Sequence, residues 1–469
     1  MFFRKLFKSS VATSQADIEM ELSSINRVYF VGIGGIGMSA LARYFAKRGC
    51  VVWGYDKTPT ALTTKLEEEG ILISFSDDVA TLPEGFAEKS DDILVVYTPA
   101  IPKDSNILNY FLNKGFDLKK RSQVLGIISQ GMHCIAVAGT HGKTTTSSMV
   151  AHLLTDTGFG CTAFLGGIAT NYNSNVLFSK NNVVVVEADE YDRSFLTLHP
   201  DVAVVTSMDP DHLDIYGDAS HLEDSFHLFA SQLKEGGRLF VKEGLPLGGI
   251  SYSALGNSAL NARNIRVVDG CFVFDFEDGY TTIKDLKLAM PGKHNVENAT
   301  AAIGVALSLG IHPKSVKKAI ASFKGVKRRF ETIVKTNDQV YIDDYAHHPE
   351  ELSACFDAVR ELYPEKKLTV IFQPHLFSRT KDFADAFAKV LSTADEIILL
   401  EIYPAREQPI EGINSAMLLG KITNNSKQLC GKDLAIDYIK SKKPELILTV
   451  GAGDIDTLIT PIKDTLINA

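Results

Sequence analysis

The chain has 469 residues, and at roughly 150 residues per domain that length calls for about three cores rather than one. Apolar residues make up 45% and charged residues 22%, which excludes a disordered chain, and no apolar run reaches the roughly 20 residues that span a bilayer. The formal charge of -9 argues against a nucleic-acid partner, and six scattered cysteines without a CxxC pair argue against a disulfide frame or zinc site.

The opening MFFRKLFKSS is basic but lacks the apolar stretch of a secretory signal, so a loose lead on a cytoplasmic protein is expected. Three blocks follow, with boundaries set at 1–122, 123–325 and 326–469. In the first, Arg27–Val31 (RVYFV) reads as a strand, Met38–Lys47 as a helix, and Val51–Tyr55 and Asp92–Tyr97 as further strands. Strand, helix, strand in that order predicts a parallel sheet. Between the first strand and the helix, Gly32-Ile33-Gly34-Gly35-Ile36-Gly37 fits GxGxxG, and Asp56 lies 19 residues past Gly37 at the end of the next strand. That fingerprint reads as a dinucleotide site, with Asp56 on a ribose hydroxyl. Yet small residues at a helix N-terminus admit any diphosphate, that of a UDP-sugar included, and a tight turn that binds nothing has the same sequence. These residues alone leave the three readings open.

The second block carries continuous apolar runs, Cys134–Ala138 (CIAVA), Val183–Val186 and Val202–Thr206, as strands buried on both faces do. It ends in a helix after Pro291 and another through Phe323. Directly after CIAVA stands Gly139-Thr140-His141-Gly142-Lys143-Thr144-Thr145-Thr146. Its backbone amides suit a triphosphate, with Lys143 reaching the β- and γ-phosphates and the Thr144 hydroxyl placed for Mg²⁺. The strict phosphate-loop pattern has glycine where this chain has Val137. Glu187 ends the second run and His212 follows the third, and ligands of an open parallel sheet sit beyond the carboxyl ends of its strands. A carboxylate suits Mg²⁺, whereas histidine is an unusual ligand for it. The competing readings are a solvated strand end for Glu187 and a bland loop histidine for His212.

Lys324–Arg329 (KGVKRR) is charged and contains glycine, and reads as a hinge. The third block alternates again: strands at Val340–Ile342, Leu368–Phe372, Glu396–Leu400 and Glu445–Val450, with helices from Pro349, from Thr380 and near Lys432–Lys440. The expected class is therefore α/β with three doubly wound domains: Rossmann-like, central P-loop ATPase-like, and Rossmann-like again. By itself His347-His348 before Pro349 reads as a helix-start turn, and Arg379 as a surface residue.

GIGGIGMS, AGTHGKTTT, EADEYDRSF, DPDHLDIYGD, PGKHNVENATAA, RRFE, DDYAHHPEE and QPHLFSRT occur in that order, and with them the chain resembles the Mur ligase family over nearly its whole length. The resemblance implies an ATP-dependent ligase of peptidoglycan precursor synthesis that activates a carboxylate as an acyl phosphate, with ATP, Mg²⁺, UDP-N-acetylmuramate and L-alanine as its ligands. It implies that Gly34, Gly35, Gly37 and Ser39 face the UDP-sugar diphosphate, that Lys143 holds phosphates, and that Thr144, Glu187 and His212 serve magnesium. Asn295 and Asn298 match residues at the adenine end of ATP, and Arg329 and Asp344 match residues that close over the nucleotide. Tyr345, His347, His375 and Arg379 fall where the family receives the amino acid, and His212 or His347 is the candidate base for the amine. Some members carry arginine where this chain has Leu376, which leaves the carboxylate clamp to Arg379 and its histidine neighbours. The rivals are a sister ligase that adds a murein peptide, an NAD-dependent oxidoreductase, which leaves the GKT loop and Glu187 without a role, and a non-catalytic ATP switch.

Overall fold

The computed structural model describes residues 22, 24–209, 216, 218–268, 270–405 and 407–467. The basic opening segment and His212 lie outside them.

The first sheet contains β1 (Arg27–Val31), β2 (Val51–Tyr55), β3 (Leu72–Ser74), β4 (Ile93–Tyr97) and β5 (Asp117–Lys120). All pairs are parallel, in the order β3-β2-β1-β4-β5. The order reverses direction between β1 and β4, and a doubly wound sheet binds ligands at that switch point. The glycine loop leaves β1 there and runs into helix α1 (Ile36–Lys47). Helix α2 (Arg121–Gln130) follows β5 directly.

The second sheet contains β6 (His133–Ala138), β7 (Thr162–Ala169), β8 (Ser174–Leu177), β9 (Val183–Glu187), β10 (Val202–Val205), β11 (Arg238–Lys242) and β12 (Ile250–Ser253). Their order is β12-β11-β10-β6-β9-β7-β8, parallel except for the β7–β8 hairpin. β6 and β10 are buried almost throughout, which is why their sequences run apolar without alternation. β6 lies between β9 and β10, so the loop from β6 into α3 (Lys143–Asp156) emerges between the ends of both neighbours. β13 (Leu260–Val268), β14 (Cys271–Glu277) and β15 (Thr282–Leu288) follow β12 in the sheet, and α4 (Lys293–Ser308) comes next in the chain.

The third sheet has the order β16-β17-β21-β18-β19-β20, from β16 (Glu331–Lys335), β17 (Val340–Asp344), β18 (Leu368–Phe372), β19 (Glu396–Leu399), β20 (Lys427–Leu429) and β21 (Leu446–Val450). Only β16, at the edge, is antiparallel to its neighbour. Helices α5 (Pro349–Leu362) and α6 (Phe377–Leu391) belong to this region. The expected α/β class with a parallel sheet in each of three regions is borne out. By compactness the chain forms two units, one of Met1–Asn261, Phe276–Ile283 and Asn298–Ile320, the other of the remainder; the division runs through β13, β14 and β15.

Within the first unit, α1 is fastened to the β7–β8 hairpin by buried polar groups. Arg43, only 7% exposed, donates to Glu69 Oε2 (2.6 Å) and to Asn175 Oδ1 (2.6 Å). Asn175, fully buried on β8, donates back to the Ile36 carbonyl (2.6 Å) and the Ser39 hydroxyl (3.0 Å). Each buried polar group left without its partner costs about 1–3 kcal/mol. Asn175→Leu therefore lowers the stability of the first unit by at least about 2 kcal/mol, read as a shift of its denaturant midpoint; an unchanged midpoint contradicts this account.

Candidate active site

The phosphate loop is built for an anion. Gly142 caps α3 in the left-handed region (φ +83°) with no side-chain cap, so the first-turn amides keep their donors for a ligand. Gly139 (φ +136°) lies so close to the strand end after β10 that an added Cβ would stand 2.8 Å from the Ser207 nitrogen. The loop is pinned to that strand end: the His141 amide donates to Ser207 Oγ (2.7 Å), and the Thr140 and Ser207 hydroxyls are 2.9 Å apart. Thr145 is buried in the first turn, and Asn298 Oδ1 stands 3.0 Å from where a Gly142 Cβ would lie.

Lys143 Nζ donates to the carbonyls of Gly139 (2.6 Å) and Thr140 (3.2 Å) and to Glu190 Oε1 (2.9 Å). Glu190 is 1% exposed. Burial alone would lower the Lys143 pKa, but the Glu190, Glu187 and Asp189 carboxylates outweigh it and raise the value, so the ammonium is charged at neutral pH. Beside it, Glu187 accepts from Thr144 Oγ1 (3.1 Å) and from the Gly166 amide (3.1 Å). A Cβ at Gly166 would fall on the Glu187 carboxylate. Thr144 and Glu187 present two hard oxygens, the donor type Mg²⁺ takes, with its other positions left to water and phosphate. No cluster of three or more His, Cys, Asp or Glu able to hold a metal occurs among the described residues.

The glycine loop of the first sheet opens onto the same space. A cavity of about 290 Å³ is lined by Gly35, Gly37, Arg121, Gly166, Glu187 and Asp189, among others. Gly35 is exposed, while Gly34 donates its amide to Asp56 Oδ2 (2.7 Å) and has no room for a Cβ beside it. Asp56 thus holds the loop itself. Ser39 is fully buried; its hydroxyl donates to the Ile36 carbonyl (2.9 Å) and accepts from Asn175. Arg121, which the sequence reading did not single out, donates to Asp189 Oδ2 (2.9 Å).

The other unit gathers a second cluster. Asp344, at the end of β17, accepts from the amides of Phe330 (2.6 Å) and Ala346 (2.7 Å), and burial pushes its pKa up to about 6 despite the nearby Arg329. Arg328 and Arg329 each set a guanidinium carbon 5.2 Å from the centre of the Tyr345 ring. Within the segment read as a hinge, Arg328 is fastened: it also donates to Asp343 Oδ2 (3.1 Å) and the Gly451 carbonyl (2.6 Å). His347 Nδ1 lies 3.0 Å from the Tyr345 carbonyl and 3.3 Å from Glu351 Oε2, with the His375 ring 5.9 Å away. Arg379 Nη1 lies 3.4 Å from His375 Nδ1, and His375 stacks on Tyr403 (5.8 Å, 14°). Tyr345, His347, His375 and Arg379 thus form one cluster. Asn295, at the start of α4, is nearly buried and donates to the Pro291 carbonyl (2.6 Å).

Three family models match in sequence: Mur ligase family, catalytic domain, over residues 27–133; Mur ligase middle domain over 137–306; and Mur ligase, glutamate ligase domain, over 328–453. The chain belongs to the Mur ligase family. It is 54% identical over 447 residues to a UDP-N-acetylmuramate–L-alanine ligase of Flavobacterium psychrophilum, covering 95% of this chain and 99% of that one. Among solved structures, the UDP-N-acetylmuramate-alanine ligase MurC of Thermotoga maritima superimposes with a TM-score of 0.79 at 27% identity, over 94% of this Mur ligase and 99% of the other. A murein peptide ligase of Psychrobacter arcticus shares the fold, with a TM-score of 0.68 at 24% identity and the same coverage.

Burial lowers the His347 pKa to about 4, against the opposing pull of Glu351. A depressed folded value means that the stability this neutral ring contributes is complete above the ordinary imidazole range and lost as pH falls through about 4. Asp344 runs the other way, its contribution being lost as pH rises through about 6. The His347 ring resonances are expected to hold their neutral positions down to about pH 5; titration near the ordinary imidazole value would contradict the burial argument.

Proposed function

We propose that this Mur ligase joins L-alanine to the lactyl carboxylate of UDP-N-acetylmuramate, driven by ATP, in building the peptidoglycan precursor in the cytoplasm. The strongest support is the 54% identity to a UDP-N-acetylmuramate–L-alanine ligase across nearly the full length of both chains. The shared cavity of Gly35, Gly37 and Glu187 supports the chemistry, because it puts the sugar-nucleotide loop beside the acid that flanks the phosphate loop.

A carboxylate is a poor electrophile, since its leaving group would be oxide. Transfer of the γ-phosphoryl group to a lactyl oxygen gives an acyl phosphate and ADP. The alanine nitrogen then attacks the acyl carbon, the tetrahedral intermediate expels phosphate, and the amine proton passes to a base. Gly139, Thr140, His141, Gly142 and Thr145 shape the phosphate cradle, and Lys143 exchanges Glu190 for the β- and γ-phosphates, offsetting the charge of the transferring group. Thr144 and Glu187, with His212, would hold Mg²⁺, which supplies further positive charge against the two meeting anions.

Gly34, Gly35 and Gly37 carry the diphosphate of the sugar nucleotide. Ser39 and Asp56 support that loop through the bonds they make within it. Asn295 and Asn298 take the adenine end of ATP, and Arg329 and Asp344 the remainder of the nucleotide. Tyr345, His347, His375 and Arg379 receive alanine, with Arg379 on its carboxylate. His347, neutral at pH 7, offers a lone pair to the amine.

Phosphate release from ATP with UDP-N-acetylmuramate tests the reading. Release on adding L-alanine is expected; release only with a murein peptide would support the sister ligase, and none with any acceptor would leave a nucleotide switch. Lys143→Ala is expected to lower kcat by at least about a hundredfold while UDP-N-acetylmuramate affinity stays within about threefold. Loss of both in calorimetry would contradict separate sites for the two substrates.

A further inference from the structure

Arg121 is the cation of the cavity wall that no part of the reaction above uses. It opens α2, and its guanidinium lies against the glycine loop: a Cβ at Gly37 would stand 2.7 Å from Arg121 Nη1. The third glycine of GIGGIG therefore makes room for this side chain, whatever it also does for a ligand. Arg121 has one hydrogen-bond partner among the described residues, Asp189 Oδ2 at 2.9 Å, in a pair whose side chains are 21% and 36% exposed. Asp189 takes it through that one oxygen, while its Oδ1 accepts from the Tyr191 amide (3.1 Å). A guanidinium has five donors and binds carboxylates and phosphates best through two at once, so most of its capacity is unspent on the protein. Glu187 lines the same cavity, two residues from Asp189.

The geometry points to Arg121 as an oxyanion receptor for the sugar nucleotide, held by Asp189 until the substrate's own anion replaces that carboxylate. The assignment rests on the proposed substrate, which offers such oxyanions at its diphosphate and at its lactyl carboxylate. Exchange of one carboxylate for another oxyanion keeps the guanidinium paired in both states, so the substrate does not have to desolvate a bare cation. Asp189 is a positioning residue in this scheme: it keeps Arg121 extended along the wall beside Gly37.

Calorimetry on the full chain without ATP tests this with three probes: UDP, UDP-N-acetylglucosamine, which lacks the lactyl arm, and UDP-N-acetylmuramate. Arg121→Ala is expected to weaken UDP-N-acetylmuramate by about tenfold or more, Arg121→Lys by less, with a non-hydrolysable ATP analogue bound within about twofold of wild type in both. An equal loss for UDP assigns the receptor to the diphosphate, and a loss confined to UDP-N-acetylmuramate assigns it to the carboxylate. Asp189→Asn removes the competing charge and is expected to tighten the same ligand severalfold. Unchanged affinities in Arg121→Ala, an equal loss of the ATP analogue in both Arg121 variants, or weaker sugar-nucleotide binding by Asp189→Asn would overturn the assignment. A wild-type chain that failed to bind UDP-N-acetylmuramate would instead overturn the functional reading.

Discussion

Three carboxylates, Glu187, Asp189 and Glu190, crowd the end of β9, where two further anions must meet if a carboxylate is to be phosphorylated by a triphosphate. Unit charges of like sign 4 Å apart repel by about 4 kcal/mol at the effective dielectric of a protein surface. The first unit answers this by giving each acid its own partner: Thr144 and the Gly166 amide for Glu187, Arg121 for Asp189, Lys143 for Glu190. Every one of those partners is also a group that phosphate, carboxylate or magnesium would want. Substrate binding is then an exchange of counter-charges, and the partly buried cations never stand alone.

The β7–β8 hairpin gives that exchange its geometry. One strand supplies Gly166, whose missing side chain lets the amide reach Glu187; the other supplies Asn175, which grips the first turn of α1. Glycine loop and phosphate-site acid are thereby held to one piece of backbone. In the other unit, the segment from Asp343 to Glu351 follows a similar economy. Asp343, Asp344 and Glu351 are each engaged by backbone or side-chain donors, and their bonds fix Arg328, Phe330 and His347 around Tyr345.

Much of this was legible in the chain itself wherever the cause is local. Val183–Val186 and Val202–Val205 run apolar because they are buried on both faces, and GKT after CIAVA reads as a phosphate loop because strand, glycine and helix start lie side by side in sequence. Features that depend on distant residues were not. GxGxxG does not reveal that Gly37 yields to Arg121, that Gly34 yields to Asp56, or that Ser39 is sealed under Asn175. α6 begins at Phe377, ahead of the expected Thr380, because its cap is Leu376 at φ +70° with no side-chain hydrogen bond, so no capping residue marks the start. β7 and β8 were missed because Thr162–Leu177 carries little apolar alternation and a turn with Asn173 at φ +49°.

The central claim is that the lactyl carboxylate, lodged in the cavity between the glycine loop and Glu187, takes the γ-phosphoryl group of ATP on one of its own oxygens. UDP-N-acetylmuramate labelled with ¹⁸O at both carboxylate oxygens, turned over with ATP and L-alanine, tests it directly. One labelled oxygen in each phosphate released, with the other retained in the new amide, is the predicted result; phosphate free of label would contradict the account.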